Sequence, residues 1–327
     1  MEPIYQNGIA LILAFQALGT WLTPPMQFFT FLGSQEFLLL ILPVVYWSVD
    51  AGMGARIGAV LLITGGLNDV FKLAFHGPRP YWFSDQVKAL TFEPTFGAPS
   101  GHAQISVGIW GLMAAYIKRP WAWAVAIFLI LMVGLSRIYL GVHFPHDVVL
   151  GWLFGALILW GFLRWVDALT AWLKSKSLGM QIGLAFGVSA LMVLISAVVF
   201  STLQGSDLPA AWVANALKAG APEAPNPLSL TNSITSAGAT FGLLAGLAWI
   251  HFRGGFSAAG PVKLRAARFL LGLVGLVILY YGLSKIFPSD SSVISYIWRY
   301  LRYALIGGWI TAGAPFVFLW LKLAQKN

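Results

Sequence analysis

The sequence predicts an all-α integral membrane protein, a polytopic transmembrane helical bundle of about nine spans. Of its 327 residues, 58% are hydrophobic and 9% are charged, whereas about 25% of the residues in an ordinary soluble domain are charged. The apolar residues form long runs, and a run of about 20 such residues can cross a bilayer as a helix. Most of the charges lie between these runs, as expected for loops at the membrane surface.

Nine apolar runs are candidate spans, and the first of them needs flanking residues to cross the bilayer. They lie near residues 37–49, 57–75, 100–117, 122–140, 148–166, 182–203, 234–252, 269–286 and 301–321. The segment 9–32 is interrupted by Gln16, Gly19 and the Pro24-Pro25 pair. We therefore expect an interfacial amphipathic segment there. The alternative is a tenth span, which would move the N-terminus to the other side of the membrane.

The motifs described below divide the chain into three regions. Residues 1–34 form the N-terminal interfacial segment, residues 35–168 carry every motif, and residues 169–327 form a region of four spans. Within the last region, Gly238, Gly242 and Gly246 make a small-residue stripe that predicts close helix packing. The loop 204–230 contains Trp212, Val213 and Leu217, which predict a short interfacial helix beside the site.

Composition also restricts the location and the partners of the chain. The absence of cysteine excludes disulfides and cysteine-based metal sites. The net charge of +9 is spread over short loops, which indicates membrane orientation rather than nucleic-acid binding, and it predicts an outer N-terminus and a cytoplasmic C-terminus. We see no cleavable signal peptide. These features favour a bacterial inner membrane with the motifs at its outer, periplasmic face, and they leave the oligomeric state open.

The first motif contains two cations, Lys72 and Arg79, separated by a helix break at Gly77-Pro78. A single Lys at the end of a span usually extends to the interface, and that interpretation would suffice for Lys72 alone. The nearby Arg79 and the other motifs favour an anion site instead. Asp69 lies one helical turn before Lys72 and is expected to pair with it or with Asn68.

The second motif is Pro99-Ser100-Gly101-His102 at the start of the third predicted span. Ser100 is placed as an N-cap, and the N–H groups of a helix N-terminus bind anions. Gly101 allows close approach of the backbone to a phosphate oxygen. The tetrapeptide alone is also compatible with an ordinary helix start. Such a start does not require a histidine in its first turn, so His102 is the residue that favours a functional role.

The third motif supplies Arg137, His143 and Asp147. Pro145 suits the first turn of a helix, so His143 lies just outside the helix and Asp147 within its first turn, in reach of the imidazole. A carboxylate on one ring nitrogen leaves the other free to attack. His146 is a competing candidate, which we expect to point away from the Asp147 side chain.

Together these residues offer three cations for a phosphate, an attacking histidine with an orienting carboxylate, and a second histidine for the leaving group. A zinc site is the alternative, because the spacing of His143 and His146 resembles that of metal ligands. Three cations directed at the same pocket would repel a divalent ion. We therefore predict a site without metal or other cofactor.

The three motifs resemble the signature of the type 2 phosphatidic acid phosphatase superfamily, Lys-x6-Arg-Pro, Pro-Ser-Gly-His and Ser-Arg-x5-His-x3-Asp, in residue type, spacing and order. The resemblance covers roughly residues 54–166. It implies a metal-independent phosphatase in which His143 forms a phosphohistidine, Asp147 orients it, and His102 protonates the leaving oxygen and later activates water. The resemblance assigns the phosphoryl oxygens to Lys72, Arg79, Ser100, the Gly101 N–H and Arg137.

The chain is locally similar in sequence to glucose-6-phosphatases, a branch of that superfamily, at Arg79-Pro80-Tyr81-Trp82 and at Ser136–His146. The chain departs from them at Asp147, where they carry Gln, and in a shorter loop between Pro80 and Pro99. Both departures favour a lipid phosphate or polyprenyl pyrophosphate as substrate. A sugar-phosphate phosphatase and a non-enzymatic lipid transporter or binder are the alternatives, and the intact histidine and aspartate set argues against the last.

Overall fold

A computed structural model describes residues 2–288, 290 and 292–326. Regular structure in this part of the chain is helical, which confirms the predicted all-α class. The α-helices are α1 (Glu2–Gln16), α2 (Thr23–Phe31), α3 (Gln35–Ser48), α4 (Ala51–Phe75), α5 (Pro80–Phe83), α6 (Gly101–Ile117), α7 (Pro120–Tyr139), α8 (Pro145–Lys174), α9 (Leu178–Ser201), α10 (Ala210–Lys218), α11 (Thr231–Phe252), α12 (Val262–Val277), α13 (Leu283–Ile286), α14 (Val293–Gly308) and α15 (Ala314–Trp320).

Helices form at all nine predicted spans, but only seven continuous helical segments of the described chain are long and apolar enough to cross a membrane. Helix α3 has 14 residues and α6 has 17, so at 1.5 Å per residue they reach about 21 and 26 Å. Both are shorter than the hydrocarbon core of about 30 Å. The predicted bundle of about nine spans is therefore confirmed as a helical bundle with seven continuous candidate spans in the described chain, and α3 and α6 would need flanking residues to cross the bilayer.

The N-terminal segment forms α1 and α2, which meet at an angle of 89°. The bend lies where Gly19 adopts a positive φ of 106°, followed by a 3-10 turn at Thr20–Leu22. Together the two helices are long and apolar enough to form a single broken span, so an eighth span is compatible with the described chain. The prediction that this segment is interfacial stays a prediction.

One compact unit comprises Met1–Phe37, Leu67–Gly161 and Ser196–Ser229, and it contains all three motifs. Its apolar core is buried around the loop between α7 and α8, where Leu140, Val142 and Phe144 are fully enclosed. The predicted short helix in the loop 204–230 is α10. It packs on α5, where Asn215 donates a hydrogen bond to the Trp82 carbonyl at 3.0 Å.

The second compact unit comprises Leu38–Gly66, Phe162–Ile195 and Leu230–Asn327. Its main helix pair is α11 with α14. A Cβ at Gly238 would lie 2.4 Å from the Tyr300 carbonyl oxygen, and one at Gly242 would lie 1.9 Å from that of Ala304. The glycine stripe thus brings the two backbones together, which confirms its predicted packing role. The division of the sequence into 1–34, 35–168 and 169–327 stays a prediction.

Candidate active site

Five helix ends in the first unit bring the predicted site residues together. Lys72 lies in the last turn of α4, Arg79 immediately precedes α5, Ser100 caps α6, and Arg137 lies in the last turn of α7. His143 lies in the short loop before α8, and Asp147 in the first turn of that helix. The site therefore belongs to one end of the helices that carry the three motifs.

Small residues allow α6 and α8 to approach closely beside the site. A Cβ at Gly151 would lie 2.6 Å from the Ser100 carbonyl oxygen, and a Cβ at Gly155 would lie 2.6 Å from that of Gln104. The Ser100 N–H donates to the Asp147 carbonyl oxygen at 2.9 Å, so the second and third motifs are joined through the backbone.

Ser100 is the N-cap of α6, as predicted, and its hydroxyl accepts from the Ala103 N–H at 3.5 Å. The amide of Asn68 donates to the Pro99 carbonyl oxygen and to Gln104. A Cβ at Gly101 would lie 2.9 Å from the Asn68 Oδ1, so this glycine also makes room for the Asn68 amide. Buried polar contacts on both sides fix the start of the helix.

Asp147 contacts two imidazoles. Its Oδ2 lies 3.4 Å from Nδ1 of His143 and accepts the Phe144 N–H at 2.9 Å, while its Oδ1 lies 3.3 Å from Nε2 of His146. The predicted reach from Asp147 to His143 is confirmed. The prediction that His146 points away from this carboxylate was wrong, because the His146 ring stacks on Phe144 at 5.2 Å and is thereby turned back toward Asp147.

These contacts assign the tautomer of His143, with the proton on Nδ1 directed at Asp147. The lone pair of Nε2 then faces Nη1 of Arg79 at 3.3 Å. Burial, followed by the positive charges of Arg79, Arg137 and Lys72, holds the pKa of His143 well below its usual value. His143 is therefore neutral near pH 7, the form in which an imidazole nitrogen can attack.

Arg79 is fully buried and its guanidinium is held by three carbonyl groups. Nε donates to Thr95 at 2.6 Å, Nη1 to Val142 at 2.9 Å and Nη2 to Phe96 at 3.1 Å. The Val142 carbonyl directly precedes His143 in the chain. Arg79 thus fixes the backbone that carries the imidazole as well as placing a positive charge at Nε2.

Lys72 shares two acceptors with Arg79. Its Nζ donates to the Thr95 hydroxyl at 2.8 Å and to the Phe96 carbonyl oxygen at 3.0 Å. The same hydroxyl accepts from Nη2 of Arg79 at 3.1 Å. Two like charges are held close together by the loop that precedes Ser100, and such a pair favours an anion between or beside them.

Arg137 is buried and is held from two sides. Its Nη1 donates to the Thr30 hydroxyl at 2.7 Å, and its Nη2 donates to Oε1 of Glu93 at 2.5 Å. The Nε atom is buried and has no hydrogen-bond partner among the described residues. A buried N–H without a partner is costly, and a phosphate oxygen would satisfy it.

Glu93 lies among the predicted phosphate-binding cations. Besides Arg137, its carboxylate lies 3.9 Å from Nη2 of Arg79. Burial raises the pKa of Glu93, but the positive charges of Arg137, Arg79 and other neighbours outweigh that effect and hold the pKa well below its usual value. The carboxylate is therefore ionised throughout the physiological range.

His102 lies in the first turn of α6 and is half-buried. Its imidazole is an electrostatic neighbour of both Glu93 and His143, so it belongs to the same cluster of residues. Within the described chain, no group of three or more His, Asp or Glu side chains is arranged to hold a metal ion.

Glu93, Thr95 and Thr30 belong to this site and were not predicted from the sequence. Glu93 stands between apolar residues in the loop that leads to Ser100, and a charge in that setting was the signal available. Thr30 carried no signal, because it lies in an apolar stretch that is more than 100 residues from Arg137 along the chain.

Two family profiles match the chain. The profile described as PAP2 superfamily covers residues 54–171, and the one described as PAP2 superfamily phosphatase, transmembrane extension, covers residues 234–326. The chain belongs to the PAP2 superfamily. This confirms the resemblance drawn from the three motifs, and all the site residues described above from Lys72 to Asp147 lie within the first profile. The PAP2 assignment and the apolar helices make the chain an integral membrane protein of a phosphatase family.

Several curated relatives are similar in sequence to this chain. Glucose-6-phosphatase 3 of Bos taurus is 30% identical over 243 residues, which cover 66% of each chain, and its Homo sapiens counterpart is 28% identical over 240 residues, 65% of each. The chain thus spans just under two thirds of the length of these relatives. An undecaprenyl-diphosphatase of Sulfolobus acidocaldarius is 39% identical over 94 residues, 28% of this chain and 45% of the relative.

One solved structure is also similar, a transmembrane PAP2 type phosphatidylglycerolphosphate phosphatase from Bacillus subtilis. It is 25% identical, with a TM-score of 0.46, and the match covers 51% of this chain and 88% of that one.

Proposed function

We propose that the protein hydrolyses a phosphate or pyrophosphate monoester by covalent catalysis at His143. The observation that carries this proposal is the arrangement of His143, whose Nδ1 faces Asp147 while its Nε2 faces Arg79. This is the geometry of an activated nucleophile beside a cationic phosphate site. Phosphoryl transfer depends mostly on positioning and on charge stabilisation, and buried arginines supply both.

In the proposed reaction, Nε2 of His143 attacks phosphorus while the bond to the leaving oxygen breaks. His102 gives its proton to that oxygen, which departs as an alcohol or as a shorter phosphate. His102 then takes a proton from water, which attacks the phosphohistidine and releases inorganic phosphate. Lys72, Arg79 and Arg137, with Ser100 and the Gly101 N–H, hold the phosphoryl oxygens.

The reaction needs no metal in this proposal, because the cations and the neutral imidazole supply the charge stabilisation and the nucleophile. Activity is expected to persist in a strong chelator. Vanadate is expected to inhibit, because it adopts the five-coordinate geometry of the phosphoryl transition state. Loss of activity in EDTA, with recovery on addition of zinc or magnesium, would restore the metal interpretation of the histidines.

The proposed substrate class is a lipid phosphate or a polyprenyl pyrophosphate. Thr30, which binds Arg137, lies on α2 between Phe28 and Phe31, and both aromatic side chains are exposed apolar groups. The phosphate site therefore lies within one helical turn of a surface suited to acyl or prenyl chains. The similarity to the undecaprenyl-diphosphatase and the presence of Asp147 support the same class.

A sugar phosphate is the second candidate. It is favoured by the glucose-6-phosphatases, whose similarity extends over 243 residues and not only over the motifs. The deciding experiment measures phosphate release by the purified protein in detergent from phosphatidic acid, a polyprenyl pyrophosphate and glucose 6-phosphate, with His143→Ala as control. We expect a higher kcat/KM for a lipid. Saturable hydrolysis of the sugar alone would assign the chain to the second candidate.

We also propose a bacterial inner membrane location with the site at the periplasmic side. The carboxyl-terminal ends of α4 and α7 and the amino-terminal ends of α6 and α8 meet at the site. The opposite helix ends carry Arg56, Lys118, Arg119 and Lys174, and cytoplasmic ends are typically rich in such cations.

A further inference from the structure

We propose that Glu93 is a resident anion of the phosphate site, which competes with phosphate for Arg137 and promotes release of the product. This inference rests on the proposed function, and it adds to that function a residue that sets the affinity for anions. Its basis is the position of a carboxylate among the cations that the reaction needs.

The first argument is geometric. Oε1 of Glu93 accepts a hydrogen bond from Nη2 of Arg137 at 2.5 Å, and Oε2 lies 3.9 Å from Nη2 of Arg79. A phosphate bound by the planar forks of the two arginines would need these same donors. The carboxylate and a phosphoryl group therefore cannot both keep full contact with Arg137.

The second argument concerns charge. Without a ligand, Lys72, Arg79 and Arg137 place three positive charges in a buried volume, and Glu93 neutralises part of that charge. When a phosphate enters, the same carboxylate faces a second anion at short range. Like charges at such distances repel strongly where water is scarce, so Glu93 weakens phosphate binding even as it stabilises the empty site.

The third argument is exposure. The side chain of Glu93 is 27% exposed, while those of Arg79 and Arg137 are 0% and 2% exposed. Glu93 is thus the member of this charged trio that meets the surrounding medium. An incoming phosphate would displace it from the arginines, and a departing phosphate would be replaced by it.

The backbone of Glu93 is fixed, whereas its side chain is partly exposed at the surface. The hydroxyl of buried Tyr81 donates to the Glu93 carbonyl oxygen at 3.0 Å and accepts the Glu93 N–H at 3.1 Å. This clamp keeps the carboxylate at one position along the loop. Exchange with phosphate then requires only side-chain rotation, without rearrangement of the loop that carries Thr95 and Phe96.

The test uses the full-length protein in detergent and compares Glu93→Gln with the wild type. Glutamine keeps the size of the side chain and an oxygen that Arg137 can bind, but it removes the negative charge. We expect the inhibition constants of vanadate and of inorganic phosphate to fall about tenfold, as the loss of a close like-charge repulsion predicts. KM is expected to fall in parallel, and kcat to fall because product leaves more slowly.

Asp85→Asn is the matched control. Asp85 is an exposed acid in the same loop region, paired with Lys218 at 2.6 Å, so its substitution changes the net charge equally. The inhibition constants of this variant are expected to change by less than about twofold, since exposed charges are screened. If Asp85→Asn changed the inhibition constants as much as Glu93→Gln, the change in net charge alone would explain both results, and the proposal would be overturned.

Weaker or unchanged binding of both anions by Glu93→Gln would also overturn the proposal, because a residue that only supports Arg137 lowers affinity when it is altered. If this variant does not fold, Glu93→Asp decides. It retains the charge but withdraws it from Arg137 by one methylene, and it should bind vanadate more tightly than the wild type. Calorimetric titration with phosphate and vanadate reads the same difference without turnover, so failure of this inference is distinguishable from failure of the proposed phosphatase activity.

Discussion

The guanidinium of Arg79 lies 3.3 Å from Nε2 of His143 and also binds the carbonyl oxygen of the preceding residue, Val142. One buried side chain thereby positions the imidazole and places a positive charge where a phosphoryl group would bind. Arg79 therefore supports the structure of the site and also supplies part of its positive charge.

Replacement of Arg79 by Lys is expected to lower both stability and activity. A lysine presents its donors at a single point and cannot reach the carbonyl groups of Thr95, Phe96 and Val142 together. Each buried acceptor left without a partner costs about 1–3 kcal/mol. We expect a lower Tm and a loss of kcat/KM of about 10²-fold or more, on the scale of losing a key electrostatic contact.

Arg56→Lys provides the control for that change. Arg56 pairs with Asp167 at 2.6 Å in the second unit, and both side chains are exposed. Exposed ion pairs contribute about 0–1 kcal/mol, so this variant should retain the Tm and activity of the wild type. Equal behaviour of the two variants in a thermal-melting assay would contradict the framework role of Arg79.

Replacement of Asp147 by Asn is expected to lower kcat strongly and KM little. The amide cannot stabilise the positive charge that His143 acquires, and it favours the wrong tautomer; the analogous change in a serine protease costs about 10⁴-fold. His146→Gln tests the second imidazole on this carboxylate and should retain activity within about tenfold. A larger loss of activity in His146→Gln than in Asp147→Asn would indicate that His146, and not His143, is the nucleophile.

The contact between His143 and Asp147 could be predicted from the sequence because it is local. Pro145 starts α8, and its helical geometry carries Asp147 to His143 over four residues. The His146 contact was predicted wrongly because adjacent residues were assumed to diverge, whereas stacking on Phe144 turns the ring back. Thr30 and Glu93 reach Arg137 only through the tertiary fold, so no spacing in the chain could reveal them.

The membrane spans were predicted from hydropathy, which located helices at all nine runs in the described chain. The ends of each helix depend on where caps and breaks fall. Helix α6 begins at Ser100 because that residue caps it, and it ends after Ile117 at Lys118, which adopts a left-handed backbone conformation. The resulting helix of 17 residues matches the predicted run 100–117 to within one residue.

Acid is expected to remove a stabilising contribution of Glu93. The positive neighbours hold its pKa below the unfolded value of about 4.3, so the ionised carboxylate stabilises the folded state above that pH. This contribution is lost as the pH falls from there toward the folded pKa. The difference in Tm between the wild type and Glu93→Gln should therefore shrink from pH 7 to about pH 3.5, and a constant difference would contradict the ion pair with Arg137.

Cysteine labelling can test the proposed orientation cleanly, because the chain contains no cysteine. Asp85→Cys, near the site, is expected to react with an impermeant maleimide in intact cells, whereas Arg119→Cys, between α6 and α7, should react only after permeabilisation. A tag at Asn327, which lies outside the described residues, should be cytoplasmic. The reverse labelling pattern would invert the membrane topology.

The central claim is that His143 carries the phosphoryl group, and trapping that group tests it most directly. In His102→Ala, a substrate with an acidic leaving group such as p-nitrophenyl phosphate needs no proton from His102, yet the phosphoenzyme lacks the base for its hydrolysis. We predict that rapid quenching followed by tandem mass spectrometry will find one acid-labile phosphoryl group on His143, absent from the variant that also carries His143→Ala. Release of p-nitrophenol with no phosphoenzyme, or a phosphoryl group on another residue, would contradict the account.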